Sequence, residues 1–67
     1  MKYREIESAI QRDLNVGWRT AKAFREKLFK KWKGYKEALQ DVSCGYNDDG
    51  RIEFKLTIND KQKKVTI

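Results

Sequence analysis

The sequence has no histidine, no proline and a single cysteine, Cys44. One cysteine cannot form an intramolecular disulfide, and the usual zinc ligand sets cannot be assembled without histidine. No apolar run approaches the ~18 residues of a membrane span, and no apolar segment follows the charged N-terminus. We therefore expect an intracellular protein that does not enter the membrane and holds no metal or other cofactor.

Residues suited to catalysis are also scarce. The chain has no glycine-rich phosphate loop and no identifiable acid and base pair, and no histidine stands ready to activate Cys44 as a nucleophile. The acidic pair Asp48 and Asp49 precedes Gly50, which is typical of a hairpin turn and does not match the ligand spacing of a calcium loop. The sequence predicts a protein that is not an enzyme.

Length limits the chain to one domain, residues 1–67, because a domain needs roughly 50 residues or more to enclose a core. At this size only about 60% of the unfolded surface is buried on folding, so the free energy of unfolding is small. The sequence has two tryptophans, three tyrosines and three phenylalanines. We expect these aromatic side chains to supply much of the core.

Acidic residues are almost absent from the middle of the chain. Residues 18–36 hold eight lysines and arginines and one acid, Glu26, whereas residues 1–17 are neutral overall and 37–67 carry one net negative charge. The whole net charge of +6 therefore comes from one segment. Such a concentrated field of one sign favours a polyanionic partner.

The first half of the chain predicts two helices. Apolar residues recur at helical spacing in 3–14, and Asn15 and Gly17 are suited to the turn that follows. The second helix is predicted from Trp18 to Lys33. One side of it carries an apolar stripe (Trp18, Ala21, Phe24, Leu28, Trp32 and Tyr35), and the other is cationic. Gly34 is expected to end or bend this helix.

The second half predicts strands. Residues 51–58 alternate between apolar and polar side chains, and turn-forming residues precede and follow them at 47–50 and 59–62. We expect a C-terminal β-hairpin. For 35–42 the sequence allows a third short helix with Ala38, Leu39 and Val42 inward, and 42–46 can instead supply a third strand.

Two helices joined by a short turn and followed by a hairpin are typical of a small α+β winged helix-turn-helix domain. The segment from Gln11 to Ala21 resembles the winged-helix domain at the end of the bacterial DNA translocases of chromosome segregation. The matching residues are Gln11, Arg12, Gly17, the aromatic Trp18 and Ala21, whereas Thr20 stands where the family has arginine. The resemblance covers about a fifth of the chain and implies a DNA-reading function.

The predicted ligand is double-stranded DNA, with 18–33 as the recognition helix of a small regulator or accessory factor, of a size often carried by phages, plasmids or viruses. The residues predicted to face base edges are Arg19, Thr20, Lys22, Ala23 and Glu26. Those predicted to contact the backbone are Lys27, Lys30, Lys31 and Lys33, with Lys61, Lys63 and Lys64 at the tip of the hairpin. We expect dimerisation, because one short helix gives limited specificity.

The sequence leaves three alternatives open for the role of the basic helix. The same basic helix can bind RNA, or it can dock on an acidic protein surface as a small inhibitor does, which the acidic pair Asp48 and Asp49 slightly favours. The lysines can also form an ordinary solvated face. Trp18 and Trp32 are possible stacking platforms for single-stranded bases, but their place on the apolar stripe favours a position in the core.

Overall fold

The computed structural model describes all 67 residues and places two helices before a three-stranded antiparallel sheet. The elements, in chain order, are α1 (Tyr3–Leu14), α2 (Trp18–Lys31), a 3-10 turn (Lys36–Ala38), β1 (Asp41–Tyr46), β2 (Ile52–Ile58) and β3 (Lys61–Thr66). The predicted α+β class, with helices first and strands last, is confirmed. The sheet has a third strand, β1, beside the expected hairpin.

Helix α1 has the bounds that its apolar spacing predicts. Ile6 and Ile10 are fully buried on one face, and Glu5 accepts a hydrogen bond at 2.8 Å from the backbone N–H of Lys2, which satisfies a free donor at the helix start. The helix ends at Asn15, whose φ of 54° is the left-handed conformation that closes a helix.

Helix α2 packs alongside α1 and ends two residues earlier than predicted. Its last residue is Lys31, and Trp32 adopts an extended backbone while burying its indole. Lys33 therefore lies beyond the helix. Gly34, which was expected to end or bend the helix, also lies beyond it. A Cβ atom at position 34 would overlap the Trp32 indole, so glycine is needed where the backbone crosses the ring. Neither helix has the length and apolar composition that a membrane span requires.

Contacts between the two helices extend from the connecting turn to their far ends. The rings of Tyr3 and Phe29 meet edge to face with centroids 5.5 Å apart, and Glu7 is paired with Arg25 at 3.0 Å. The first pair joins the start of α1 to the end of α2, and the second joins the middle of α1 to the middle of α2. The helices consequently lie side by side and run in opposite directions.

The prediction of a short helix at 35–42 was wrong. Only Lys36–Ala38 form a single 3-10 turn, and Ala38 is exposed. Leu39 and Val42 are buried as expected, but Val42 belongs to β1, where it pairs with Leu56 of β2. The third strand expected at 42–46 is confirmed as β1, Asp41–Tyr46. Its backbone pairs with β2, which replaces the local hydrogen bonds of a helix.

The sheet has the order β1-β2-β3, and the helices cover one of its faces. Phe54 and Leu56 of β2 are fully buried in this interface. Strands β2 and β3 are joined by Asn59 and Asp60, which both have positive φ, the geometry of a two-residue hairpin turn. The opposite face of the sheet is polar and open to solvent.

Candidate nucleic-acid interface

The outward face of α2 carries the residues predicted to bind nucleic acid. Burial of Ala21 and Leu28 sets the rotation of the helix about its axis. At about 100° per residue, Arg19, Ala23 and Lys30 then point away from the core. The predicted residues of this region are all exposed: Arg19, Thr20, Lys22, Ala23, Glu26, Lys27, Lys30, Lys31 and Lys33. We call this set, six bases and one acid among nine residues, the α2 face.

The cations of the α2 face have no acidic partners. The structure has four ion pairs within 4.0 Å, and their basic members are Arg12, Arg25, Lys36 and Lys64. None of these residues belongs to the α2 face. Because the protein's own carboxylates neutralise charge elsewhere, the positive potential of α2 is left for a ligand or for solvent counterions.

Arg25 lies on α2 but takes no part in this surface. Its Nε donates to Glu7 at 3.0 Å, and its guanidinium lies 4.2 Å from the centroid of the Tyr3 ring. Only 14% of its side chain is exposed. Arg25 therefore helps to hold the two helices together. The positive charge of residues 18–36 is thus not all available on the surface.

The three lysines predicted at the hairpin tip do not form one cluster. All three are exposed, but side chains alternate between the two faces of a strand. Lys61 and Lys63 pair with Ile58 and Leu56, so they share the face that the helices cover. Lys64 is opposite Lys55 on the open face and approaches Glu53 at 3.7 Å. Lys64 consequently cannot act with the other two on one ligand surface.

The β2–β3 turn also differs from a free wing tip. The backbone N–H of Asp60 donates to the Gln40 side chain at 2.7 Å, which fastens the turn to the chain segment just before β1. Lys61 follows this turn directly. The register with β2 places Lys61 and Lys63 on the helix side of the molecule, and strand β3 is in contact with α2.

Trp18 was predicted to lie in the core, and this prediction was wrong. Trp18 is 55% exposed, whereas Trp32 is buried as expected. Trp18 lies about 60° around the helix from Ala21, at the edge of the buried stripe, and no other element covers it. Tyr35 is exposed too, because it follows the end of α2 and helical spacing no longer applies.

The indole of Trp18 borders a groove between the two helices. The groove has a volume of about 410 Å³, and its other lining residues are Arg4, Glu7, Ser8 and Gln11 of α1. The Nζ atom of Lys22 lies 5.8 Å from the Trp18 ring centroid. This groove adjoins the start of the α2 face and was not predicted from the sequence.

Comparisons with protein-family models, with curated proteins and with solved structures gave no match to this chain.

Proposed function

We propose that this protein binds double-stranded DNA through the α2 face. The observation that carries the proposal is the set of six exposed cations on or just after one helix, none paired with a carboxylate. An isolated solvated helix usually gains stability from alternating charges three or four residues apart. This face instead places like charges together, an arrangement that favours a row of phosphates as partner.

The dimensions of α2 suit the major groove of B-DNA. The groove is about 12 Å wide, which is enough to admit an α-helix. The 14 residues of α2 would extend about 21 Å along it. Ala23 lies at the centre of the outward face, where its small side chain permits close approach. In this arrangement Arg19 contacts guanine with two hydrogen bonds and Glu26 accepts from cytosine.

The two ends of the α2 face have different roles in the proposal. The first turns, with Arg19, Thr20 and Lys22, face base edges and set sequence preference. The later lysines, Lys27, Lys30, Lys31 and Lys33, neutralise phosphates, which adds affinity for any sequence. Lys61 and Lys63 extend the phosphate contacts from the adjoining strand. The proposed role is that of a small transcriptional regulator or accessory factor, acting as a dimer.

The resemblance of residues 11–21 to the DNA-reading domain of chromosome-segregation translocases supports the proposal at the turn and the first residues of α2. Beyond that segment the contacts of Tyr3 with Phe29 and of Glu7 with Arg25 keep the two helices side by side. The proposal therefore depends on the outward face of α2 and does not require the roughly 90–120° helix crossing of a helix-turn-helix.

The test compares two double variants with a matched control. A preferred duplex is first selected from randomised DNA, and affinities are measured by fluorescence anisotropy. We expect Arg19→Ala with Lys22→Ala to lose the preference for that duplex, by about 5-fold to 150-fold. Lys30→Ala with Lys33→Ala should weaken binding equally for all sequences. The control, Arg51→Ala with Lys55→Ala, removes the same charge from exposed positions outside the α2 face.

Equal, small effects in all three double variants would overturn the proposal. Stronger competition by duplex RNA than by duplex DNA would show that the α2 face binds RNA in preference to DNA. Absence of binding to any nucleic acid, together with salt-resistant binding to an acidic protein, would replace the proposal with a protein-docking function.

A further inference from the structure

The groove beside Trp18 has features that the α2 face does not need for binding a regular duplex. Trp18 is 55% exposed, and its indole is a flat apolar ring in contact with water. Exposed aromatic rings of this kind are what nucleic-acid-binding proteins use to stack bases, since every base has a π-face. In a regular duplex the base faces are already stacked and cannot meet Trp18.

Polar groups of α1 border the same ring. Ser8 and Gln11 line the groove, and their side chains offer a hydroxyl and an amide, each with both donor and acceptor capacity. Glu7 is also in the lining, but its carboxylate is held by Arg25 at 3.0 Å. The groove thus combines a stacking surface with groups able to hydrogen-bond the edge of a base.

Two cations lie at this groove. Arg4 is in its lining, and the Nζ atom of Lys22 lies 5.8 Å from the centroid of the indole ring. A base held on Trp18 would bring a phosphate on either side of it. The guanidinium of Arg4, which is in no ion pair, can neutralise one of these phosphates.

We propose that the groove binds one unpaired nucleobase, stacked on Trp18, while the neighbouring duplex lies on the α2 face. The preferred DNA is then a duplex with a bulged base or a junction with a single strand. This inference rests on the proposed function, because the duplex is needed to bring the unpaired base to the start of α2.

The experiment measures the affinity of the whole chain for a perfect duplex and for the same duplex with one unpaired thymine. We expect the bulged duplex to bind about tenfold more tightly, from the stacking of one base. Trp18→Ala should make the two affinities equal, and Trp18→Phe should retain part of the difference. Trp18→Leu, which is apolar but has no π-face, should behave as the alanine variant does.

Tyr35→Ala is the matched control, since Tyr35 is also exposed but lies beyond the opposite end of α2. It should leave the affinity ratio unchanged. Because Trp18 is largely exposed, its variants should retain the circular dichroism spectrum of the folded chain.

The outcomes separate this inference from the proposed function. Equal affinity of the unaltered protein for both duplexes, with firm binding to each, overturns the groove proposal and leaves duplex binding standing. A preference for the bulge that survives in Trp18→Ala also overturns it. Absence of binding to either duplex overturns both.

Discussion

Arg25 and Glu7 form an ion pair across the interface of the two helices, with Nε and Oε2 3.0 Å apart and no more than 14% of either side chain exposed. The guanidinium also lies over the ring of Tyr3. The pair fixes α2 against α1, and in doing so it holds the lysine-rich side of α2 outward. The orientation of the α2 face is thus tied to a contact on the opposite side of the same helix.

Removing one partner of this pair should destabilise the fold strongly. Glu7→Ala leaves a guanidinium without its counter-charge in a mostly buried place, at an expected cost of about 3 kcal/mol. Urea unfolding measures the change. The joint replacement Glu7→Leu with Arg25→Met should cost clearly less, because no unpaired charge remains. A loss of equal size in the joint variant would contradict this account of the pair.

Gly34 is predicted to be intolerant of any side chain. Its backbone lies against the Trp32 indole, which closes one end of the core beside Phe29. Gly34→Ala should displace the indole and lower the free energy of unfolding by about 1–3 kcal/mol. Gly45→Ala is the control, since a Cβ atom there meets nothing within 4 Å. Equal thermal midpoints for the two variants would be incompatible with this packing.

Asp13 should make the fold sensitive to acid. The hydrogen bond from the Arg12 side chain, assisted by that from the backbone N–H of Cys44 at 3.0 Å, lowers the pKa of its carboxyl below the ordinary value. A lowered pKa in the folded state contributes stability that is present above the ordinary pKa of about 3.9 and is lost as pH falls through the lowered value.

The urea midpoint of the unaltered chain should therefore fall as pH is lowered below about 4. The urea midpoint of Asp13→Asn should fall less steeply over the same pH range. Glu37→Gln is a suitable comparison, because Glu37 is also paired with a base but lies exposed. If Asp13→Asn and the unaltered chain had parallel pH profiles, the link from α1 to β1 through this carboxylate would contribute nothing to stability.

The Cys44 thiol should react slowly in the folded protein. Burial, with the nearby Asp13 carboxylate adding to it, raises the pKa of Cys44 from 9.0 to about 11. Because the thiolate is the reactive form, alkylation by iodoacetamide at pH 8 should be about a hundredfold slower than in the unfolded chain. A native rate close to the unfolded rate would show that the thiol is freely accessible.

The elements that follow from local sequence were predictable, and those that depend on distant contacts were not. Helix α1 has one apolar stripe and a left-handed stop at Asn15, so its bounds can be derived from 3–14 alone. Residues 35–42 lack such a signal. Val42 becomes part of a strand because it pairs with Leu56, and nothing near Val42 in the sequence encodes that partner.

The candidate site shows the same division. Spacing along α2 placed its lysines on the solvent side, where all are exposed. The exposure of Trp18 depends on how α1 packs against α2, which leaves the indole beside the polar residues Ser8 and Gln11. The division of the β3 lysines between two faces depends on the register with β2. Arg25 was not among the predicted contact residues, but its pairing with Glu7 depends on how the two helices pack and could not be predicted from the sequence.

The most direct measurement of the central claim is the salt dependence of duplex binding. Six lysines are proposed to contact phosphates: Lys27, Lys30, Lys31, Lys33, Lys61 and Lys63. If they do, the logarithm of the association constant should fall with the logarithm of salt concentration with a slope of about −5. Lys30→Ala with Lys33→Ala removes two of these contacts and should make the slope shallower by nearly 2, to about −3.5. A flat response to salt would contradict the account, because an unneutralised cationic face cannot bind a phosphate backbone without releasing counterions.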